Sequence, residues 1–512
     1  MTSNNSENLP RGVVEALAFS AVTPSHSTTY SLPSYPKQYR RKRLLTLLTL
    51  LVVSLAFSLP AADRPPNLVL FFVDNLGNGD IGCFGSKLHR TPHIDRLAAE
   101  GTKFTSFYVA SGVCTPSRAS LMTGCYPRRI NMHASGTNTA VLRAVDTKGL
   151  HPDETSIAEV LKQKGYAAGI FGKWHLGDQP IFLPTRQGFD TFFGIPYSDD
   201  MTKDKFPTTW PELPLLRNEK VVEAPVDRNF LVKRCTEEAI SFIEANRDRP
   251  FFAYIPHTMP GSTPTPYSSP AFRGKSKNGD YGDAVEELDW STGQIDAALQ
   301  RLNLTNNTLV IWTSDNGAVA RNPPQGTGAP YKGVAYDTSE AAMRMPCVMR
   351  WPNRIPAGRT CDDIVTTMDL LPTFAGFASA PLPTNPIDGH DVSPLLLSQL
   401  GATSPWDAQG FMYYRLEQLQ AVRSGPWKLY LPLSAKFISN NRKTAPAKLE
   451  LYDVRTDISE RREVSAENPA IIERLTKLAE AARLELGDIN TPGRAQRPAG
   501  HVPNPKPLLL TN

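Results

Sequence analysis

Uninterrupted apolar runs, rather than alternating ones, punctuate the first three quarters of the chain. Asn67 to Val73, Tyr166 to Phe171, Phe251 to Ile255 and Thr308 to Thr313 each read as a strand buried on both faces. Helical patterns lie between them. Thr91-Pro92 predicts a helix start, with Thr as N-cap and Pro in the first turn. Ser156 with Glu159 predicts a capping box before the stripe Ile157, Val160 and Leu161, and Gly165 ends that helix. Val285, Leu288, Ile295, Leu299 and Leu302 predict one long helix. This alternation predicts an α/β fold with a mainly parallel sheet sandwiched by helices. Polar residues gather just past the strand ends, at Asp74-Asn75, in the loop Gly172 to Gly177, at His257 and at Asp315-Asn316-Gly317. That edge is where open α/β sheets place their ligands.

Beyond about residue 377 the pattern changes. A connector with Pro381, Pro383 and Pro386 leads to short strands at Phe411–Tyr414, Gln420–Arg423, Trp427–Leu431 and Leu449–Tyr452, then a helix from Pro469 to Arg483. A small antiparallel sheet with one helix is expected there. The predicted organisation is a leader over 1–62, a catalytic domain over 63–376, a C-terminal α+β subdomain over 377–490, and a flexible tail over 491–512 that is rich in Pro, Gly and Arg.

Composition narrows the partners. The net charge of +5 owes much to the cluster Arg40-Arg41-Lys42-Arg43, and no comparable basic run follows, which argues against nucleic acid. The cluster precedes an apolar stretch, Leu44 to Leu59, of roughly 16 residues, short of the ~20 that span a membrane. It reads as a secretory signal, with an uncleaved anchor as the alternative. Either one puts the folded part in a secreted, periplasmic or cell-envelope setting. The six cysteines, at 83, 114, 125, 235, 347 and 361, are too sparse to be the main source of stability. A Cys347–Cys361 bridge stays open on spacing alone.

The most specific chemistry lies in Cys114-Thr-Pro-Ser-Arg118-Ala-Ser-Leu-Met-Thr123-Gly124. This stretch resembles the sulfatase signature, and the resemblance runs from about residue 65 to 485 through the Asp74 segment, Gly172–Gly177, Asp315-Asn316 and Trp427-Lys-Leu. It implies an alkaline-phosphatase-like fold and a sulfuric ester hydrolase, with Cys114 oxidised to formylglycine (3-oxoalanine) by a formylglycine-generating or equivalent maturation enzyme. An aldehyde hydrate carries two hydroxyls: one attacks sulfur, and the other later loses its proton and expels sulfate. A thiol or serine lacks that second step. The resemblance further implies Asp74, Asn75, Asp315 and Asn316, with residue 114, as ligands of calcium or alternatively magnesium, since hard oxygen donors suit those ions. Arg118 resembles the arginine that holds the modified residue. Lys173 and His175 resemble the pair that contacts that residue and the sulfate, with His175 expected to donate a hydrogen bond. The substrate would be a sulfated carbohydrate or an aryl sulfate.

Three departures stand out. Asn75 replaces a second aspartate, leaving two carboxylates for a divalent cation. Gly261 stands where many members carry the histidine that protonates the leaving oxygen. Ala335 stands where many carry a substrate-binding lysine, by alignment back from Arg344 and Glu340. His257 and Lys332 are the candidates to take over those duties. Two further readings therefore stay open: a phosphoester or phosphonate hydrolase on the same fold, and a degenerate relative that binds sulfated polysaccharide without turnover. Specificity is expected in the loops 129–150, 197–230 and 258–280 and in the C-terminal region.

Overall fold

The computed structural model describes residues 64–433 and 448–510. The expected leader, with its apolar run, lies outside the described residues. Among those described, no helix is long and apolar enough to cross a membrane.

Residues Arg64–Asn512 form one compact unit. Its centre is an eleven-stranded sheet whose middle runs Thr308–Ser314, Asn67–Val73, Phe251–Ile255, Ala167–Lys173, Thr191–Ile195. Each neighbouring pair in that row is parallel. Arg344–Arg350 runs antiparallel to its neighbours, as do the short strands beyond Ile195. Every residue of Asn67–Val73 and Thr308–Ser314 is buried, which is why these segments read as continuous apolar runs. Helices Leu231–Ala245 and Gly279–Arg301 cover one face and share the core of Val69, Phe71, Ile255 and Trp312. Helices Cys114–Thr123, Ile157–Lys162 and Leu370–Ala378 belong to the core that holds Leu70, Phe72 and Tyr254. The expected fold class is the observed one.

A second, four-stranded antiparallel sheet contains Phe411–Arg415, Gln418–Ser424, Trp427–Tyr430 and Glu450–Asp453, with helix Pro469–Leu486 against it. Glu340 ties it to the main sheet, accepting hydrogen bonds from Tyr413 and Lys428, each at 2.8 Å. Lys428, Arg423 and Arg344 together hold the Glu340 carboxyl well below its ordinary range despite burial.

Two expectations need correction, and the disulfide left open is settled. The Ser156 box forms, Ser156 Oγ accepting from Glu159 N at 3.1 Å and Glu159 from Ser156 N at 2.8 Å. Thr91 takes the N-cap position with Pro92 in the first turn, but its side chain makes no capping hydrogen bond. The Asp289 carboxylate, from the long helix, accepts from His93 N and Ile94 N at 3.0 and 2.9 Å instead. The C-terminal segment is not loose: Gly500–His501 pairs with Lys148–Gly149, and Arg497 bridges to Glu154 at 2.7 Å. Cys347 and Cys361 are free, as are the other four cysteines. Both align with Phe104, from opposite sides of its strand, so they stand two strand spacings apart, about 9.5 Å. A disulfide needs Cα atoms within about 7 Å.

Candidate active site

Three strands deliver polar residues to one sheet edge. Asp74 and Asp315 follow directly on Val73 and Ser314, and Lys173 ends its own strand. Cys114 opens helix Cys114–Thr123, which is buried along its whole length. In this first turn the backbone N–H groups have no intrahelical acceptor and favour an anion. Gly317 completes the Asp315-Asn316 turn; a Cβ there would lie 1.9 Å from the Ala341 carbonyl oxygen, so only glycine fits.

The charged groups meet in a fully buried cluster. Arg118 donates to Asp315 Oδ2 at 2.7 Å, to Asp74 Oδ2 at 3.3 Å and to the Lys173 carbonyl at 3.2 Å. Lys173 Nζ pairs with the same Asp74 carboxylate. Two carboxylates thus face two cations, and the cluster is neutral before anything binds. Burial works against the Lys173 charge, yet Asp74 outweighs it and leaves the amine raised. The Asp315 carboxyl is pushed up to about 6 by burial and by Asp74, with Arg118 and Lys173 pulling the other way. Burial first, and Asp74 next, push the Cys114 thiol well above its ordinary range.

Ligand atoms of Asp74, Cys114 and Asp315 all lie within 4.8 Å of one another. Cys114 Sγ is 3.9 Å from Asp74 Oδ1. Asn75 and Asn316 join them, the Asn316 amide nitrogen donating to Asn75 Oδ1. Asn316 Oδ1 is buried without a hydrogen-bond partner. A buried amide oxygen left unpaired costs about 1–3 kcal/mol, and a cation would satisfy it. The donor set of carboxylate and amide oxygens fits a hard divalent ion.

His175 has φ +64, a strained conformation for a non-glycine residue. Thr115 holds its loop, donating to the His175 carbonyl at 3.1 Å and accepting from Leu142 N at 3.2 Å. His175 Nε2 lies 2.9 Å from the Leu142 carbonyl, which requires the proton on Nε2. Nδ1 is then a bare lone pair, buried and unpartnered. Burial, then Lys173, push the imidazole well below its ordinary range, so it is neutral. The ring thus donates through Nε2 to Leu142 and leaves Nδ1 as an acceptor.

Of these groups, Cys114 and His175 open into a cavity of about 650 Å³. Cys114, His175, Ser198, Ser262, Tyr336 and Arg415 line it, together with apolar Val113, Val141, Met201 and Val319. The three specificity loops contribute Val141, Asp200 and Thr263, and the C-terminal sheet contributes Arg415. Arg321 also lines it, stacked over Tyr281 at 4.8 Å.

Two residues expected at this site lie elsewhere. His257 Nε2 is 2.8 Å from Ser291 Oγ on the long helix, and burial pushes the ring down to about 3, which disfavours the cationic acid. Its place next to a strand end drew it into the expectation, but the ring turns into the helix layer. Lys332 is exposed and sits over the Tyr452 ring at 5.8 Å. Neither lines the cavity. Gly261 adopts φ +69, and a Cβ on it would lie 2.7 Å from the Thr258 carbonyl. That backbone does not take the missing histidine. Ala335 is buried, its N–H bonded to the Ala318 carbonyl at 2.9 Å. Tyr336, Ser262, Arg321 and Arg415 were not singled out by sequence reasoning, since no motif or periodicity marks them.

The family model described as Sulfatase matches residues 66–380, and one described as N-sulphoglucosamine sulphohydrolase, C-terminal, matches 332–483. The chain is 39% identical to human arylsulfatase A over 409 residues, covering 74% of this chain and 77% of that one. It is 37% identical to the N-acetylgalactosamine-6-sulfatase of Canis lupus familiaris over 400 residues, 74% of each. Among solved structures, Ps i-CgsB in complex with k-i-k-neocarrahexaose superposes with a TM-score of 0.68 at 28% identity, covering 82% of this chain and 92% of that one. The fold is alkaline-phosphatase-like. On a signature, a buried charge cluster and relatives that agree along most of its length, the chain belongs to the sulfatase family and hydrolyses sulfate esters.

Proposed function

We propose that the nucleophile is a hydrated formylglycine made from Cys114, working beside a calcium ion on the sulfate ester of a sulfated carbohydrate. The observation that carries this reading is the burial of Cys114 in a helix first turn with Asp74 and Asp315 in ligand range and Arg118 and Lys173 behind them. As a thiol the residue is protonated and a poor donor to a hard cation. An oxygen at that place suits both the ion and the chemistry. Asp74, Asn75, Asp315 and Asn316 would hold the ion, calcium or alternatively magnesium, and when bound it supplies positive charge to the sulfate oxygens.

The chain's own groups account for the remaining work. One hydroxyl oxygen of residue 114 gives up its proton to solvent water and bonds to sulfur as the ester S–O bond breaks, its electron pair leaving on the alcohol oxygen. The second hydroxyl then loses its proton; its oxygen becomes the carbonyl and the bond to sulfate breaks. Neutral His175, with its free Nδ1 lone pair, is the acceptor available for that proton. Arg118 fixes the two carboxylates, and Lys173 faces Asp74 from the floor. A cavity of about 650 Å³ suits a sugar unit, and the carbohydrate complex of Ps i-CgsB supports that class. Aryl sulfates are the expected surrogate substrates. Such a protein needs a maturation enzyme for Cys114 and export from the cytoplasm, in keeping with the apolar N-terminal run.

Cys114→Ala, with melting temperature as the check on folding, tests this. Complete loss of hydrolysis in a folded protein is expected; turnover at the parent rate would remove the nucleophile.

A further inference from the structure

The leaving-group side of the cavity lacks every side chain anticipated for it. Position 261 has none, Ala335 offers a methyl, His257 is engaged with Ser291, and Lys332 lies outside. Two hydroxyls stand beside Asn75 instead. Ser262 Oγ is 2.8 Å from Tyr336 Oη, and Asn75 Nδ2 is 2.8 Å from the first and 3.4 Å from the second. Both residues line the cavity with Cys114.

The hydrogen count of this trio is informative. Asn75 Oδ1 already accepts from Asn316, so the Nδ2 group is fixed as the donor to both hydroxyl oxygens. Two O–H protons remain and there is one O···O contact. One proton bridges it; the other has no acceptor among the described residues and is free for the cavity. The backbone is committed to this arrangement. Tyr336 has φ +74, a region unfavourable for a bulky residue, and is held there by Tyr336 N to the Gly112 carbonyl at 3.0 Å and by Arg415 on its own carbonyl. Chain segment 260–262 is fastened as well, Gly261 N donating to the Asp74 carbonyl at 3.0 Å.

We propose that the Tyr336–Ser262 hydroxyl pair donates this spare hydrogen bond to the leaving oxygen of the sulfate ester, taking the place of the side chains missing at 261 and 335. The pair stabilises the charge that builds on that oxygen as its bond to sulfur breaks, and solvent water supplies the proton that completes the alcohol. This rests on residue 114 as nucleophile.

The test is kcat/KM for alkyl sulfates and for a series of aryl sulfates of graded leaving-group acidity, measured for the parent, Tyr336→Phe, Ser262→Ala and His257→Ala. Tyr336→Phe is expected to lose on the order of 10²-fold on alkyl sulfates, the scale of one lost oxyanion donor, and only a few-fold on a nitrophenyl sulfate. Ser262→Ala shifts the same way by less, while His257→Ala changes all substrates alike. An equal loss on every leaving group, or none, overturns the proposal. Should Tyr336→Phe melt well below the parent, Ser262→Ala carries the same test. The two readings fail separately: an inactive Cys114→Ala beside a Tyr336→Phe indifferent to leaving group sinks the hydroxyl pair alone, whereas an active Cys114→Ala sinks the nucleophile.

Discussion

The two sides of the cavity are built on different terms. On the side proposed for the sulfate, Asp74, Asp315, Arg118 and Lys173 form a fully buried set in which each carboxylate meets a cation and each position lies at or just past a strand end or helix start. On the leaving-group side stand loops, with a glycine, an alanine, two hydroxyls and an arginine borrowed from the second sheet. Buried charge explains the contrast. Removing one member of the first set strands another in a low dielectric, so those residues cannot change singly. The other side answers only to what is attached to the sulfate, and is free to differ between sulfatases. The departures at 261 and 335 therefore speak of substrate rather than of lost activity.

The comparison can be broken first at Arg118. Arg118→Ala leaves Asp74 and Asp315 facing each other without their shared partner; activity should vanish and stability fall by about 3–5 kcal/mol in chemical unfolding. An active, equally stable variant would mean that the cluster is not a unit. Excess chelator comes next. It should lower both activity and melting temperature, with calcium restoring both, because the unpaired Asn316 Oδ1 and the two carboxylates want a cation. Indifference of both readouts would exclude the ion.

A smaller effect is expected beneath Gly261. Asp199 has neither carboxylate oxygen hydrogen-bonded, and burial, followed by Asp200 and Asp74, pushes it up to about 7. A raised carboxyl favours the folded state while protonated, and that contribution is lost as pH rises from the ordinary aspartate value of about 4 through 7. Asp199→Asn should leave stability unchanged near pH 4 and raise it by about 2–4 kcal/mol near pH 8. A gain independent of pH would contradict the shift. Little change in kcat is expected, since Asp199 does not line the cavity.

Legibility follows the same divide. Strands buried on both faces announce themselves as apolar runs, and the acids that end them stand out against that background. Asp74, Lys173 and Asp315 were accordingly readable, as was the Cys114 signature. The Ser156 box was readable because its partners are three residues apart. Thr91 stands at the N-cap as its sequence suggests, but Asp289, 195 residues from Ile94, supplies the acceptor. The Ser262–Tyr336 contact joins loops 74 residues apart with no periodicity in either. His257 and Lys332 were chosen for their residue type near a gap, which says nothing of where a side chain turns. Which ring nitrogen of His175 is left free was not legible, since its tautomer depends on a carbonyl 33 residues away.

The central claim concerns residue 114, and peptide mass spectrometry on protein from a maturation-competent host tests it most directly. The account predicts a peptide carrying CHO in place of CH2SH at that position, reactive toward hydrazides, in proportion to specific activity across preparations. Fully active protein with an unaltered cysteine there would contradict it.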